Sequence, residues 1–317
     1  MIEGQTLQVP DLVASLYSEW TVERHPDEEQ LRHELEDDFV VRWCPDPEKR
    51  RKMRKGDFAQ VAGYFWAGSS LERIRPLAEF MYWYFIWDDE IDCGDLQSDK
   101  IGKSLQTGHS REALARYAAS MYNFVNAVCN VQQQWMTNFP PWEEYMETRM
   151  QTVGIYPCLM TMEYAYGLNT PNWVYNHPSI HAMFQETAFS CIIVNDIVSL
   201  QKELIAIPTN NTGHRATQIV DQIDSVIPLK MFHGGHRDAQ TALNEVLGEL
   251  KESRVRLDEA ERSFLSSAEY CGVEWRQQRD DIAVLIQGCK NAILGNLKWS
   301  SVLSEIGLDG CGRLTVD

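Results

Sequence analysis

Apolar residues recur at three- and four-residue intervals over most of the chain, and each such stretch predicts a helix. The pattern gives long helices at Leu71–Asp92, Arg111–Gln134, Pro141–Tyr166, Ile180–Leu204, Gln240–Ala268 and Glu274–Val302. Pro76 falls inside the first of these, so a kink or a first turn is expected there. Breaks are expected at Cys44-Pro45-Asp46-Pro47, Gly94, Thr137–Pro141, Asn169–Pro178, Pro208–Gly213 and Gly234-Gly235, where glycine, proline and small polar residues interrupt the period. Alternating runs are scarce, and no Asn-Gly or Asp-Gly hairpin joins β-branched stretches, so strand signals are nearly absent. Neither a composition shift nor a fixed-period repeat divides the chain. The expectation is one all-α domain over residues 1–317, with 1–55 packing on it as an N-terminal segment and 305–317 as a tail.

Two places combine an apolar helix with converging oxygen atoms. In the first, Met81-Tyr-Trp-Tyr-Phe-Ile-Trp87 runs into Asp88-Asp89-Glu90-Ile91-Asp92. Residues four apart share a helix face, so Asp88 and Asp92 would lie one above the other. Like charges stacked in this way destabilise a helix unless a cation neutralises them, and carboxylates suit magnesium. A solvated acidic helix end is the alternative, although acids are unfavourable at a helix C-terminus. In the second place, Asn195, Ser199 and Glu203 stand at i, i+4 and i+8 after Ile192-Ile193-Val194. An amide oxygen, a hydroxyl and a carboxylate from one apolar helix make an oxygen-only metal site, with Lys202 beside it as a point charge for phosphate. The competing account is a polar stripe facing water.

Composition narrows the partners. A net charge of −17 over 317 residues argues against nucleic acid, whose phosphates need a basic surface. An anionic substrate would need metal ions or a local cluster of Arg and Lys. No stretch approaches 18 uncharged apolar residues, and the N-terminus has no basic segment followed by an apolar one, so neither a transmembrane helix nor a secretory signal is expected. The eight cysteines are scattered without a C-x-x-C pair. They read as reduced, mostly buried thiols of a cytoplasmic protein. His233-Gly-Gly-His236 lacks a third ligand, and Glu36-Asp37-Asp38 and Asp280-Asp281 read as solvated faces.

The motifs D-D-x-x-D at 88–92 and N-D-x-x-S-x-x-K-E at 195–203 resemble the two metal motifs of class I terpene synthases, especially microbial and fungal sesquiterpene cyclases. The resemblance covers roughly residues 55–300 in motif order and spacing. It implies a helical bundle around a deep apolar cavity. It also implies Mg2+, three ions, with Mn2+ as an alternative: two held by the aspartates, Asp88 first and Asp92 second, and the third by Asn195, Ser199 and Glu203. Such enzymes carry a diphosphate-sensing arginine about 46 residues before the Asn, where Arg149 stands. Arg149-Met-Gln-Thr152-Val153-Gly154-Ile-Tyr156-Pro resembles the family's helix break, where a freed carbonyl near Val153 or Gly154 would face the substrate; Gly154 and Pro157 give a physical reason for a break.

The resemblance implies ionisation of a prenyl diphosphate, with farnesyl diphosphate expected, by a monomer or homodimer. Arg149 and Lys202 would grip the diphosphate. An aromatic cavity would shield the cation and attract it by about 1–2 kcal/mol per desolvated ring. Phe85, Tyr84 and Met81, three, four and seven residues before Asp88, are the candidate walls, with Tyr156 and Trp299 added. The Arg-Tyr pair expected six and seven residues after Trp299 is missing: Glu305 and Ile306 stand there. The alternatives are a chain-elongating prenyl diphosphate synthase, which would need a second Asp-rich motif, and a non-catalytic or decayed helical module.

Overall fold

The structure, a computed structural model, describes residues 2, 4–89, 110–134, 140–205, 225–303 and 313–315; of these, 87–89, 131–134, 201–205, 302–303 and 313–315 are described by backbone alone. A short strand β1 (Thr6–Gln8) comes first. The helices follow as α1 (Leu12–Leu16), α2 (Glu28–Glu34), α3 (Val40–Trp43), α4 (Pro47–Gly56), α5 (Phe58–Phe65), α6 (Leu71–Asp89) and α7 (Arg111–Gln134). After these come α8 (Trp142–Thr152), α9 (Ile155–Met160), α10 (Met162–Tyr166), α11 (Asn172–Tyr175), α12 (Pro178–Ile205), α13 (Val226–Gly234), α14 (Ala239–Leu265), α15 (Ala268–Cys271) and α16 (Arg276–Leu303), then strand β2 (Arg313–Thr315). The all-α class expected from the pattern is the one observed. Among the described residues, no helix is long and apolar enough to cross a membrane.

Helix α12 is the spine. Its Ile192, Ile193 and Val194 are buried, as are Ile197 and Leu200, so a broad apolar face must be covered by other helices. Helix α14 runs antiparallel to it: Ser190 faces Ser253, Glu186 pairs with Arg256, and Ser179 meets Ser263. Helix α16 covers another side, with Asn296 donating to the Cys191 carbonyl at 3.5 Å. Helix α5, all eight residues buried, packs between α6 and α16. It opens at Asp57, which adopts a left-handed φ of 41° and closes α4 while its side chain caps α5.

The termini depart from the pattern. Strands β1 and β2 pair antiparallel, with Leu7 opposite Leu314. Gln5 and Gln8 then tie β1 to the start of α14 through Arg237, Ala239 and Gln240. Two further expectations are corrected. Asp281 is not on a solvated face: it is buried and accepts from the Asn169 amide and Gln277, which anchors the loop before α11 to α16. Within Glu36-Asp37-Asp38, Glu36 is half-buried against Tyr82 and Arg54, and only Asp37 and Asp38 are exposed. The histidines at 233 and 236 are engaged separately, by the Pro140 carbonyl and by Glu245.

Candidate active site

The predicted helix Pro141–Tyr166 is three helices, and the first break positions the site. Helix α8 ends at Thr152, and Gly154 takes a left-handed φ of 73°. A side chain there would be strained in any surroundings. It would also collide with Tyr84, whose hydroxyl lies 1.5 Å from where a Cβ would stand. The glycine therefore allows the turn and the close approach of α6. Pro157 follows in the first turn of α9, where its missing N–H costs no helix bond. Carbonyls at the end of α8 lose their in-helix partners at such a break.

Arg149, in the last turn of α8, reaches across to α12. Its Nη2 donates to Asp196 Oδ1 at 2.5 Å and lies 3.4 Å from Asn195 Oδ1. Tyr145, one turn earlier on α8, donates its hydroxyl to Asp196 Oδ2 at 2.7 Å. Asp196 is fully buried and the Arg149 side chain is 12% exposed, so each charge offsets the cost of burying the other. Both carboxylate oxygens thus point into protein donors. Asn195 and, one turn on, Ser199 are half-buried on the same helix. The helix continues to Ile205, so the i, i+4, i+8 spacing through Glu203 is realised in the backbone. The side chains of Lys202 and Glu203 lie outside the described residues.

Helix α6 likewise carries the backbone as far as Asp89, placing Asp88 one turn beyond Tyr84. The Asp88 side chain and the whole of Asp92 lie outside the described residues. Below Asp88 the aromatic residues form two groups. Tyr84 stacks on Phe124 of α7 at 4.7 Å and meets Phe80 edge-on at 5.7 Å. Phe85 stacks on Phe58 at 4.0 Å, with Trp299 completing the trio at 5.7 Å. Trp299 is fixed by its indole N–H, which donates to the Gly56 carbonyl at 2.7 Å. Met81 is buried beside them, and Val153 is partly buried against the core.

Tyr156 goes elsewhere. It lines a half-open side cavity of about 450 Å³ with Arg116, Gln151, Tyr175 and His181, and Phe124 is the wall this cavity shares with the aromatic cluster. Burial pushes the Tyr156 phenol up to about 12. The sequence reading passed over Asp196, Tyr145, Phe58 and Phe124. Asp196 was inside the quoted motif, and Tyr145 is four residues before Arg149, so helical spacing could have flagged both.

The donor set fits a hard cation. Among the described residues no group of three or more His, Cys, Asp or Glu converges. Asn195 and Ser199 offer an amide and a hydroxyl oxygen from α12, the donor types that oxygen-seeking cations take. Residues 98–254, about half of the chain, match the family model described as terpene synthase family 2, C-terminal metal binding. The chain belongs to the terpene synthase family. This terpene synthase is 23% identical to terpene cyclase braA of Annulohypoxylon truncatum, over 94% of the chain and 85% of that protein. It is 22% identical to sesquiterpene cyclase hepA of Aspergillus oryzae, over 98% and 93%. The identity to alpha-muurolene synthase of Coprinopsis cinerea is 25%, over 92% and 72%. Its fold is shared with alpha-eudesmol synthase, at a TM-score of 0.71 and 17% identity over 89% of this chain and 97% of that one. Wild-type cucumene synthase superposes with a TM-score of 0.69 at 16% identity, over 89% and 98%. The matched segment includes Arg149 and 195–203 but begins after Asp88 and Asp92.

Proposed function

We propose that this terpene synthase is a sesquiterpene cyclase. In this reading it ionises farnesyl diphosphate with three magnesium ions, cyclises the resulting cation to a hydrocarbon or alcohol, and releases diphosphate. The observation that carries the proposal is the Arg149 guanidinium, held by Asp196 within 3.4 Å of Asn195 Oδ1. A fixed cation and metal-type oxygens on one helix face are what a departing diphosphate needs. Asp88 and Asp92 on one side, and Asn195, Ser199 and Glu203 on the other, are the residues that would hold the metals. When bound, divalent ions stabilise the charge that develops on the departing oxygens.

The chain's own part follows from its residues. Arg149 and Lys202 bind and orient the diphosphate. Tyr84, Phe85, Met81 and Trp299 exclude water, the aromatic three offer ring faces to the cation, and cation–π attraction rises once such a site is dry. The break at Gly154 frees carbonyls near Val153 to face the cation. We read the whole chain as one cyclase domain. Among the described residues no disulfide joins the cysteines, which supports a cytoplasmic location: Cys158, Cys191 and Cys289 are buried, and Cys129 and Cys271 are exposed.

The test is incubation of purified protein with farnesyl diphosphate, with magnesium or with EDTA, followed by gas chromatography–mass spectrometry. A magnesium-dependent cyclic C15 product, lost in Asp88→Ala and in Asn195→Ala, is the expected result. Longer prenyl diphosphates instead of a cyclic product would make the protein an elongase. No product from farnesyl, geranyl or geranylgeranyl diphosphate would mark a decayed site.

A further inference from the structure

Asp196 sits one residue past Asn195, about 100° further around the helix. Its Oδ1 takes Arg149 at 2.5 Å and its Oδ2 takes the Tyr145 hydroxyl at 2.7 Å. Its peptide carbonyl accepts from Ser225 Oγ at 3.0 Å, which ties the start of α13 to the same turn of α12. Tyr145 is itself 1% exposed, so all three side chains are walled in. A guanidinium is a planar fork, and fixing one of its nitrogens fixes the direction of the others. An arginine held only by solvent would sample many rotamers and lose that entropy on each binding event.

We infer that Asp196 and Tyr145 are positioning residues for Arg149: a carboxylate clamp, itself locked by a phenol, holds the guanidinium beside Asn195 before substrate arrives. This rests on the reading of Arg149 as a diphosphate ligand. The clamp spans α8 and α12, so the two helices must keep their relative height for Arg149 to meet the anion. Asp196 acts through Arg149, since each of its oxygens accepts from a protein donor, one of them the guanidinium itself.

The test uses the full chain with Tyr145→Phe, Asp196→Asn, Arg149→Met and the Asp196→Asn/Arg149→Met double variant. Three readouts are taken: binding of inorganic diphosphate in magnesium by titration calorimetry, KM and kcat for farnesyl diphosphate, and thermal unfolding of the metal-free protein. Asp196→Asn is expected to weaken diphosphate binding by on the order of tenfold or more, as loss of one member of a buried charge pair does. Tyr145→Phe, which removes one hydrogen bond and leaves the ring in place, is expected to weaken it about threefold. The double variant is expected to bind no worse than Arg149→Met, because a clamp has nothing to do once its arginine is gone.

Multiplying effects in the double variant would overturn the inference. So would a lower melting temperature in Asp196→Asn with diphosphate affinity unchanged, since that is a purely structural role. If Asp196→Asn fails to fold, Tyr145→Phe decides: unchanged affinity contradicts the clamp. Wild-type affinity in Arg149→Met would instead defeat the underlying reading of Arg149. Weakened binding in Arg149→Met alone would leave that reading standing and defeat the clamp.

Discussion

Arg149 and Arg116 each bury a guanidinium against a buried carboxylate, and their surroundings set them apart. Arg116, on α7, pairs with Glu163, bonds Asn172, and lies 4.0 Å from the Tyr175 ring centre. Each of these partners belongs to α10 or α11, so Arg116 ties α7 to that corner of the bundle. Arg149 pairs as tightly with Asp196, but its neighbours are Asn195 and, a turn away, Ser199, both half-buried. Burial and charge are alike in the two cases. What differs is the setting of the neighbouring amide oxygen: Asn195 begins the i, i+4, i+8 oxygen series of the long helix α12, whereas Asn172 opens the four-residue helix α11. The Gly154 break divides the two regions: Tyr145 and Arg149 precede it, and Tyr156 of the Arg116 cavity follows it.

The sharpest way to break this comparison is to replace each arginine by methionine. Arg149→Met is expected to slow diphosphate release from farnesyl diphosphate by about 100-fold or more, the scale on which one preorganised charge-stabilising group acts. Arg116→Met is expected to keep kcat within about threefold but to lose about 3–5 kcal/mol of stability in urea unfolding, because Glu163 is left buried and unpaired. Equal kinetic losses in the two variants would erase the distinction. Gly154→Ala comes next. The left-handed backbone alone costs about 1–2 kcal/mol with a side chain present, and the methyl group must push Tyr84 away. Lower stability together with a kcat reduced on the order of tenfold, as misplacement of binding groups produces, is the expected kinetic and urea-unfolding result.

Trp299→Phe removes the bond to the Gly56 carbonyl, costing about 1 kcal/mol, and loosens the contact with Phe58 and Phe85. A changed product ratio by gas chromatography is the signature expected of a cavity wall. The smallest effect belongs to Tyr156→Phe, on the other side of the break: less than about twofold in kcat/KM, consistent with a side chain that lines the Arg116 cavity. Its phenol is raised from 10 to about 12 in the folded chain, so the stability tied to its neutral form is fully present below pH 10. That stability is lost only as pH climbs toward 12. The urea midpoints of Tyr156→Phe and the parent should therefore differ by a constant amount from pH 6 to 9.

The long helices were legible because each buries an apolar stripe, a broad one in α12, and apolar spacing records this. Their predicted ends at Gln134, Leu204 and Val302 fall within one residue of those observed. The region before Leu71 was not legible. Helix α4 has six basic residues in ten and only Met53 buried, so its period carries no apolar signal. The β1–β2 pair joins three-residue strands some 300 positions apart, too short and too distant for an alternating pattern to register. At the site, residue types and helical spacing pointed to Asn195 and Ser199, and the family resemblance pointed to Arg149. The clamp through Asp196 and Tyr145 depends on two helices meeting, and the direction of Tyr156 depends on the turn at Gly154, neither of which local spacing records. Asp281 shows the same limit, since an acid that caps a distant loop looks in sequence like any surface acid.

The most direct test of the account is magnesium-dependent release of inorganic diphosphate from farnesyl diphosphate, measured side by side for the parent chain, Asn195→Ala and Arg116→Met. Release by the parent and by Arg116→Met, with none from Asn195→Ala and none in EDTA, is the predicted result. Release by Asn195→Ala at the parent's rate would contradict the placement of the site on α12.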